Sequence, residues 1–122
     1  MKKTFALFLI LSPLLAWAEG WIASGSVTNP TANQVMVDTG ALSGPGKIEF
    51  CVYAASTVAT AIRVQHMNAA NSAAVQDPLV TVPANNFQTF CPKIPITYAD
   101  GERFRVIMTG AVTGVVSVSL FF

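Results

Sequence analysis

Apolar and polar side chains alternate one for one along much of this chain. Ile48, Phe50 and Val52 interleave with Glu49, Cys51 and Tyr53, and Phe104, Val106 and Met108 interleave with Arg103, Arg105 and Ile107. At the C-terminus Val116, Val118, Leu120 and Phe122 are set against Val115, Ser117, Ser119 and Phe121. A period of two sends successive side chains to opposite faces of a strand, whereas a helix needs a repeat near 3.6. Each such strand has one face to bury, and a second sheet is the simplest cover for it.

Further strands are expected over residues 21–28, 34–37, 57–67, 79–82 and 87–91. Within residues 57–67, Ile62, Val64 and His66 share one face and Arg63, Gln65 and Met67 the other. Turns fall at Asn29-Pro30, at the Gly40–Gly46 loop, at Pro83–Asn86 and at Asp100-Gly101, where glycine accepts positive φ without steric cost. The Ala/Asn-rich segment 68–77 has no apolar stripe and reads as a long loop with room for one helical turn. Residues 94–98, interrupted by Pro95, suit a sheet edge. Strands 102–109 and 115–122, joined by Gly110–Gly114, are expected to form a hairpin. The predicted fold is all-β: a two-sheet antiparallel sandwich of jelly-roll or Greek-key type with about eight short strands.

The first 18 residues have a different character. Lys2 and Lys3 precede an apolar run from Thr4 to Leu15, and Ala16-Trp17-Ala18 offers the small-x-small pattern that a signal peptidase cuts, here before Glu19. The run is shorter than the roughly 20 residues a spanning helix needs. The expected mature chain is residues 19–122, one domain, in the periplasm or outside a bacterial-type cell. The alternative is a retained N-terminal anchor.

That mature chain carries five basic residues (Lys47, Arg63, Lys93, Arg103, Arg105) and six acidic ones (Glu19, Asp38, Glu49, Asp77, Asp100, Glu102). A nucleic-acid surface demands a dense basic patch, and none is present. A surface this poor in charge is instead suited to association, with a bland monomer as the alternative. Cys51 and Cys91 form an even pair, which an oxidising compartment makes into one disulfide. Spanning positions 51 to 91, it would stabilise by about 4 kcal/mol in the chain-entropy model. Two separate thiols remain the alternative.

No catalytic constellation is legible. His66 is the sole histidine, no G-x-S-x-G elbow presents a serine, and the acids are scattered singly. No metal or cofactor is expected. Arg63, Arg103 and Arg105 would converge if their strands are neighbours, either to hold an anion or simply to pair with Glu49 or Glu102. Trp21, Tyr53 and Phe121 are outward or terminal aromatics suited to stacking on a sugar or packing at an interface.

Taken together, the strings RVQHMNAANSAAV, VPAN and GERFRVIMTGAVTGVVSVSLFF, within residues 60–122, resemble small β-sandwich heads of bacteriophage fibres and related virion modules. The resemblance implies a sandwich without an active site that trimerises and decorates a surface. The expected function is association: a non-enzymatic subunit of a surface or extracellular assembly, or an adhesive module, its partner being a further copy or another surface component. A carbohydrate-type ligand-binding module and a small outer-membrane β-barrel are the alternatives.

Overall fold

The computed structural model describes residues 22–122. The expected leader, its expected cleavage position and Trp21 lie outside the described residues. The alternating segments become β1 (Ile22–Thr28), β2 (Val35–Asp38), β3 (Gly46–Ile48), β4 (Cys51–Ser56), β5 (Thr60–Met67) and β6 (Ala74–Gln76). They continue as β7 (Leu79–Val82), β8 (Asn86–Phe90), β9 (Ile96–Tyr98), β10 (Arg103–Met108) and β11 (Val115–Phe121). Two antiparallel sheets result. One has the order β1-β11-β4-β8; the other runs β2-β10-β5, with β6 and β7 end to end along the far side of β5. β3 and β9 form a separate two-stranded ribbon.

β1, β4, β8 and β11 lie in the first sheet and β2, β5, β7 and β10 in the second. The chain therefore changes sheet at every connection between these eight except β5 to β7. That is a jelly roll, two Greek keys rolled together. The expected eight strands correspond to those of the roll, except that the alternating 47–54 run breaks at Glu49-Phe50 into β3 and β4; β9, within the expected 94–98 stretch, pairs with β3, and β6 is a short addition. Both sheets stay open, with β1 and β8 at the edges of one and β2 and β6/β7 at the edges of the other. A closed outer-membrane barrel is thereby set aside.

Period two set the faces correctly. Val52 and Ala54 of β4 and Val116, Val118 and Leu120 of β11 are buried against Ile62 and Val64 of β5 and Phe104, Val106 and Met108 of β10. Apart from the small Ala54, each of these side chains stabilises the fold by roughly 1.5–3 kcal/mol when fully buried. Phe104 sits at one end of this core with ring centroids 5.3 Å from Phe50 and 4.6 Å from His66.

Two expectations are corrected. β10 and β11 are not a hairpin: β10 pairs with β2 and β5, whereas β11 pairs with β1 and β4. Their apolar faces meet across the sandwich, so the Gly110–Gly114 connection crosses the core edge instead of reversing within a sheet. Segment 68–77 holds no helical turn. Asn68 Oδ1 accepts the N–H groups of Ser72 (2.9 Å) and Ala73 (3.3 Å), Asn71 takes a left-handed φ of 56°, and Ala74–Gln76 then pairs with β5. Side-chain acceptance of backbone donors competes with helix here, as is usual for asparagine. Asn29, Asn33 and Asn85 likewise adopt positive φ, and Gly101 has the expected positive φ, at 85°.

Cys51 and Cys91 are bridged, with Cα atoms 4.3 Å apart. They extend the β4–β8 register one step beyond the Val52–Phe90 pair. The alternative of two free thiols is excluded. A bridge of this kind fits an oxidising, extracellular location.

Candidate interaction face

The two sheets divide the charge unequally. The four strands of the β1-β11-β4-β8 sheet read IASGSVT, VVSVSLF, CVYAAS and NFQTF, without one charged residue. Asp38, Arg63, His66, Arg103 and Arg105 all belong to the other sheet. With Val52, Ala54, Val116, Val118 and Leu120 turned inward, the outer face of this sheet presents Ser24, Ser26, Ser117, Ser119 and Thr89 around a patch of aromatics.

Tyr53 stands at the centre of that patch, 45% exposed, its ring centroid 5.1 Å from that of Phe121. Register places it between Ser119 on β11 and Thr89 on β8. One step along, Ala55 is paired with Phe87, the most exposed ring of the sheet at 65%. Between Tyr53 and Phe87 lies a shallow hollow of about 420 Å³ whose rim carries the hydroxyls of Thr89, Ser117 and Ser119. Ser26 and Ser117 satisfy one another across β1 and β11 at 2.9 Å. Tyr53 and Phe121 were singled out from the sequence; Phe87 was not. Its alternation with Thr89 against Phe90 was the available signal, but a position beside an exposed tyrosine follows only from the β4–β8 pairing.

The arginines lie elsewhere. β5 and β10 are neighbours, so Arg63, Arg103 and Arg105 do share a sheet. Their partners are not Glu49 or Glu102. Arg63 Nη1 pairs with Asp77 at 3.4 Å, and Arg103 Nη1 with Asp38 at 3.3 Å. Arg105 Nε donates to Gln65 Oε1 at 2.8 Å, and its Nη1 reaches Asn71 at 3.4 Å. Loop 68–73 folds back toward Arg105, with Asn71 accepting from its Nη1, and Gln65 and Met67 on the nominally outer face are buried. An anion would have to displace these partners; the more exposed of the two ion pairs, Arg63–Asp77, is of the kind that contributes only about 0–1 kcal/mol.

His66 packs where the sequence placed it, beside Val64, but gains a partner that spacing did not announce. Its Nε2 lies 2.9 Å from Glu102 Oε1, and its ring is stacked on Phe104 with 22° between the planes. Ala99 N–H also donates to Glu102 Oε1, at 2.7 Å. That backbone donor first, and the imidazole second, hold the Glu102 carboxyl below the usual carboxylate range.

No protein-family model matches this chain, and no curated protein does. Solved structures do. The globular domain of zebrafish complement 1qA protein superposes with a TM-score of 0.53 at 9% identity, covering 84% of this chain and 94% of that one. A CBM4 module superposes with a TM-score of 0.50 at 15% identity, covering 80% of this chain and 66% of that one. At such identities the likeness shows the fold alone: a jelly-roll-type β-sandwich.

Proposed function

We propose that the protein is an exported, non-enzymatic jelly roll that acts by association with further copies of itself, as a subunit of a surface or extracellular assembly. The observation that carries this reading is the uncharged outer face of β1-β11-β4-β8, with Tyr53, Phe87 and Phe121 on it. The buried centres of protein interfaces are depleted in charge and enriched in tyrosine and phenylalanine. A neutral face also needs no charged complement, so a second copy suffices as partner. Export is supported by the Lys2–Ala18 pattern and the disulfide. The resemblance to virion heads makes a trimer the expected stoichiometry.

Size-exclusion chromatography with light scattering on the leaderless protein (residues 19–122), over a concentration series, tests the reading. A multiple of the protomer mass is expected. A strict monomer at the highest concentration would overturn self-assembly.

One observation favours a second reading, a carbohydrate-type binding module. The hollow between Tyr53 and Phe87 combines aromatic faces with three hydroxyl groups, the chemistry that receives a sugar ring. A glycan array separates the two: specific glycan retention lost in Tyr53→Ala supports this reading, and no retention sets it aside.

A further inference from the structure

An open sandwich leaves strand edges, and an unpaired edge is a template on which a further strand can add. In this roll nearly every edge is blocked. β1 and β2 lie backbone to backbone, so closely that a Cβ at Gly25 would overlap Met36 O. β7 runs only from Leu79 to Val82, between Pro78 and Pro83, and β6 is three residues long. β3 and β9, also three residues each, directly follow Pro45 and Pro95. The exception among the described strands is β8, which pairs with β4 over five residues without a charge, a proline or a register shift.

The register shows which backbone groups of β8 face outward. Thr57 N–H donates to Val115 O at 3.1 Å, continuing the β4–β11 pairing of Ala55 with Ser117. Backbone groups of an antiparallel strand alternate between its two neighbours, so Ser56, Ala54 and Val52 turn theirs toward β8. Asn85 N–H, bonded to Ser56 O at 2.8 Å, agrees. Asn86, Gln88 and Phe90 are the partners of those three residues, which leaves Phe87 and Thr89 to direct N–H and C=O away from the sheet. Two of these four outward groups are taken by the strand's own side chains. Phe87 N–H donates to Asn86 Oδ1 at 2.8 Å, and Gln88 Nε2 donates to Thr89 O at 3.3 Å. By alternation Asn86 and Gln88 share the side of β8 on which Phe90 packs against the core, yet both are exposed. Their amides build no core; they turn back onto the edge.

We propose that Asn86 and Gln88 guard the β8 edge: their amides occupy Phe87 N–H and Thr89 O, so that a second copy does not add there as a strand and contact between copies is confined to the outer face. An incoming strand, parallel or antiparallel, needs the outward groups of residues 87 and 89 and must first break both amide bonds. Open-ended growth of a sheet then has no edge to start from, and assembly through the face stays finite. The guard itself acts whether or not copies associate; only its consequence for assembly rests on the self-association reading.

The test compares wild type, Asn86→Ala/Gln88→Ala, and that double variant with Thr89→Pro added, all with the Cys51–Cys91 bridge intact. Sedimentation velocity and thioflavin T fluorescence follow assembly, and amide hydrogen exchange follows Phe87. Wild type should give a finite species without thioflavin fluorescence, whereas the double variant should extend into thioflavin-positive sheets. Thr89→Pro should cancel that growth: Thr89 N–H points outward, so a proline there removes no bond to β4 but spoils the edge for a newcomer. Growth caused by unfolding would survive the proline. Phe87 N–H should exchange about fivefold faster once Asn86→Ala removes its acceptor. A double variant that stays finite, growth that persists with Thr89→Pro, or Phe87 exchange indifferent to Asn86→Ala would each overturn the guard while leaving the face reading intact. A wild type that stays monomeric while the double variant extends would sink the face reading alone and support the guard.

Discussion

Two side chains concentrate the energetic argument at the scale of single residues. Phe104 has no exposed surface and touches Phe50, His66 and Tyr98 through its ring. Phe104→Ala should lower stability by about 3–5 kcal/mol, measured by chemical denaturation, because three neighbouring rings cannot all collapse into the space left. Glu102 is the titrating group to watch. Its folded-state acidity is stronger than in the unfolded chain, so its contribution is present above the ordinary carboxylate range and disappears as pH falls through the depressed folded value. Thermal midpoints should therefore fall on acidification below about pH 4, and Glu102→Gln should flatten that part of the profile. An acid limb unchanged by Glu102→Gln would show that other carboxylates dominate. Neither partner of Glu102 was legible from the sequence. His66 and Glu102 lie 36 positions apart, and only the antiparallel β5–β10 register brings their ends together.

Among the elements, the faces were readable and the pairings were not. Alternation in β4, β10 and β11 named the inward side chains correctly, because burial on one face leaves a period of two regardless of which strand is next door. The β10–β11 hairpin failed for the same reason: period two carries no information about neighbours, and in a jelly roll successive strands belong to opposite sheets. Pro78 shows the limit from the other side. It divides one edge into β6 and β7 by removing a donor, while its own carbonyl still accepts Val64 N–H at 3.0 Å. The disulfide was foreseen as a pair; its place as a cross-strand tie between β4 and β8 was not. Because it closes a long loop, reduction or the Cys51→Ser/Cys91→Ser pair should remove about 4 kcal/mol, a fall in the thermal midpoint on the order of 20 °C by calorimetry. An unchanged midpoint after complete reduction would contradict this.

The whole molecule is two-sided. Low overall charge was visible in composition, but its segregation was hidden, since the four uncharged strands are dispersed over residues 22–28, 51–56, 86–90 and 115–121. Only the roll gathers them into one sheet. The central claim is that this sheet's outer face is where copies meet. Sedimentation velocity on wild type, Phe87→Lys and Leu79→Lys tests it most directly, since Leu79, 54% exposed, offers a matched apolar site on the opposite sheet. Phe87→Lys should weaken association by about thirtyfold, on the order of 2 kcal/mol, while Leu79→Lys sediments like wild type. Equal behaviour of the two variants, or a wild type that never associates, would contradict the account.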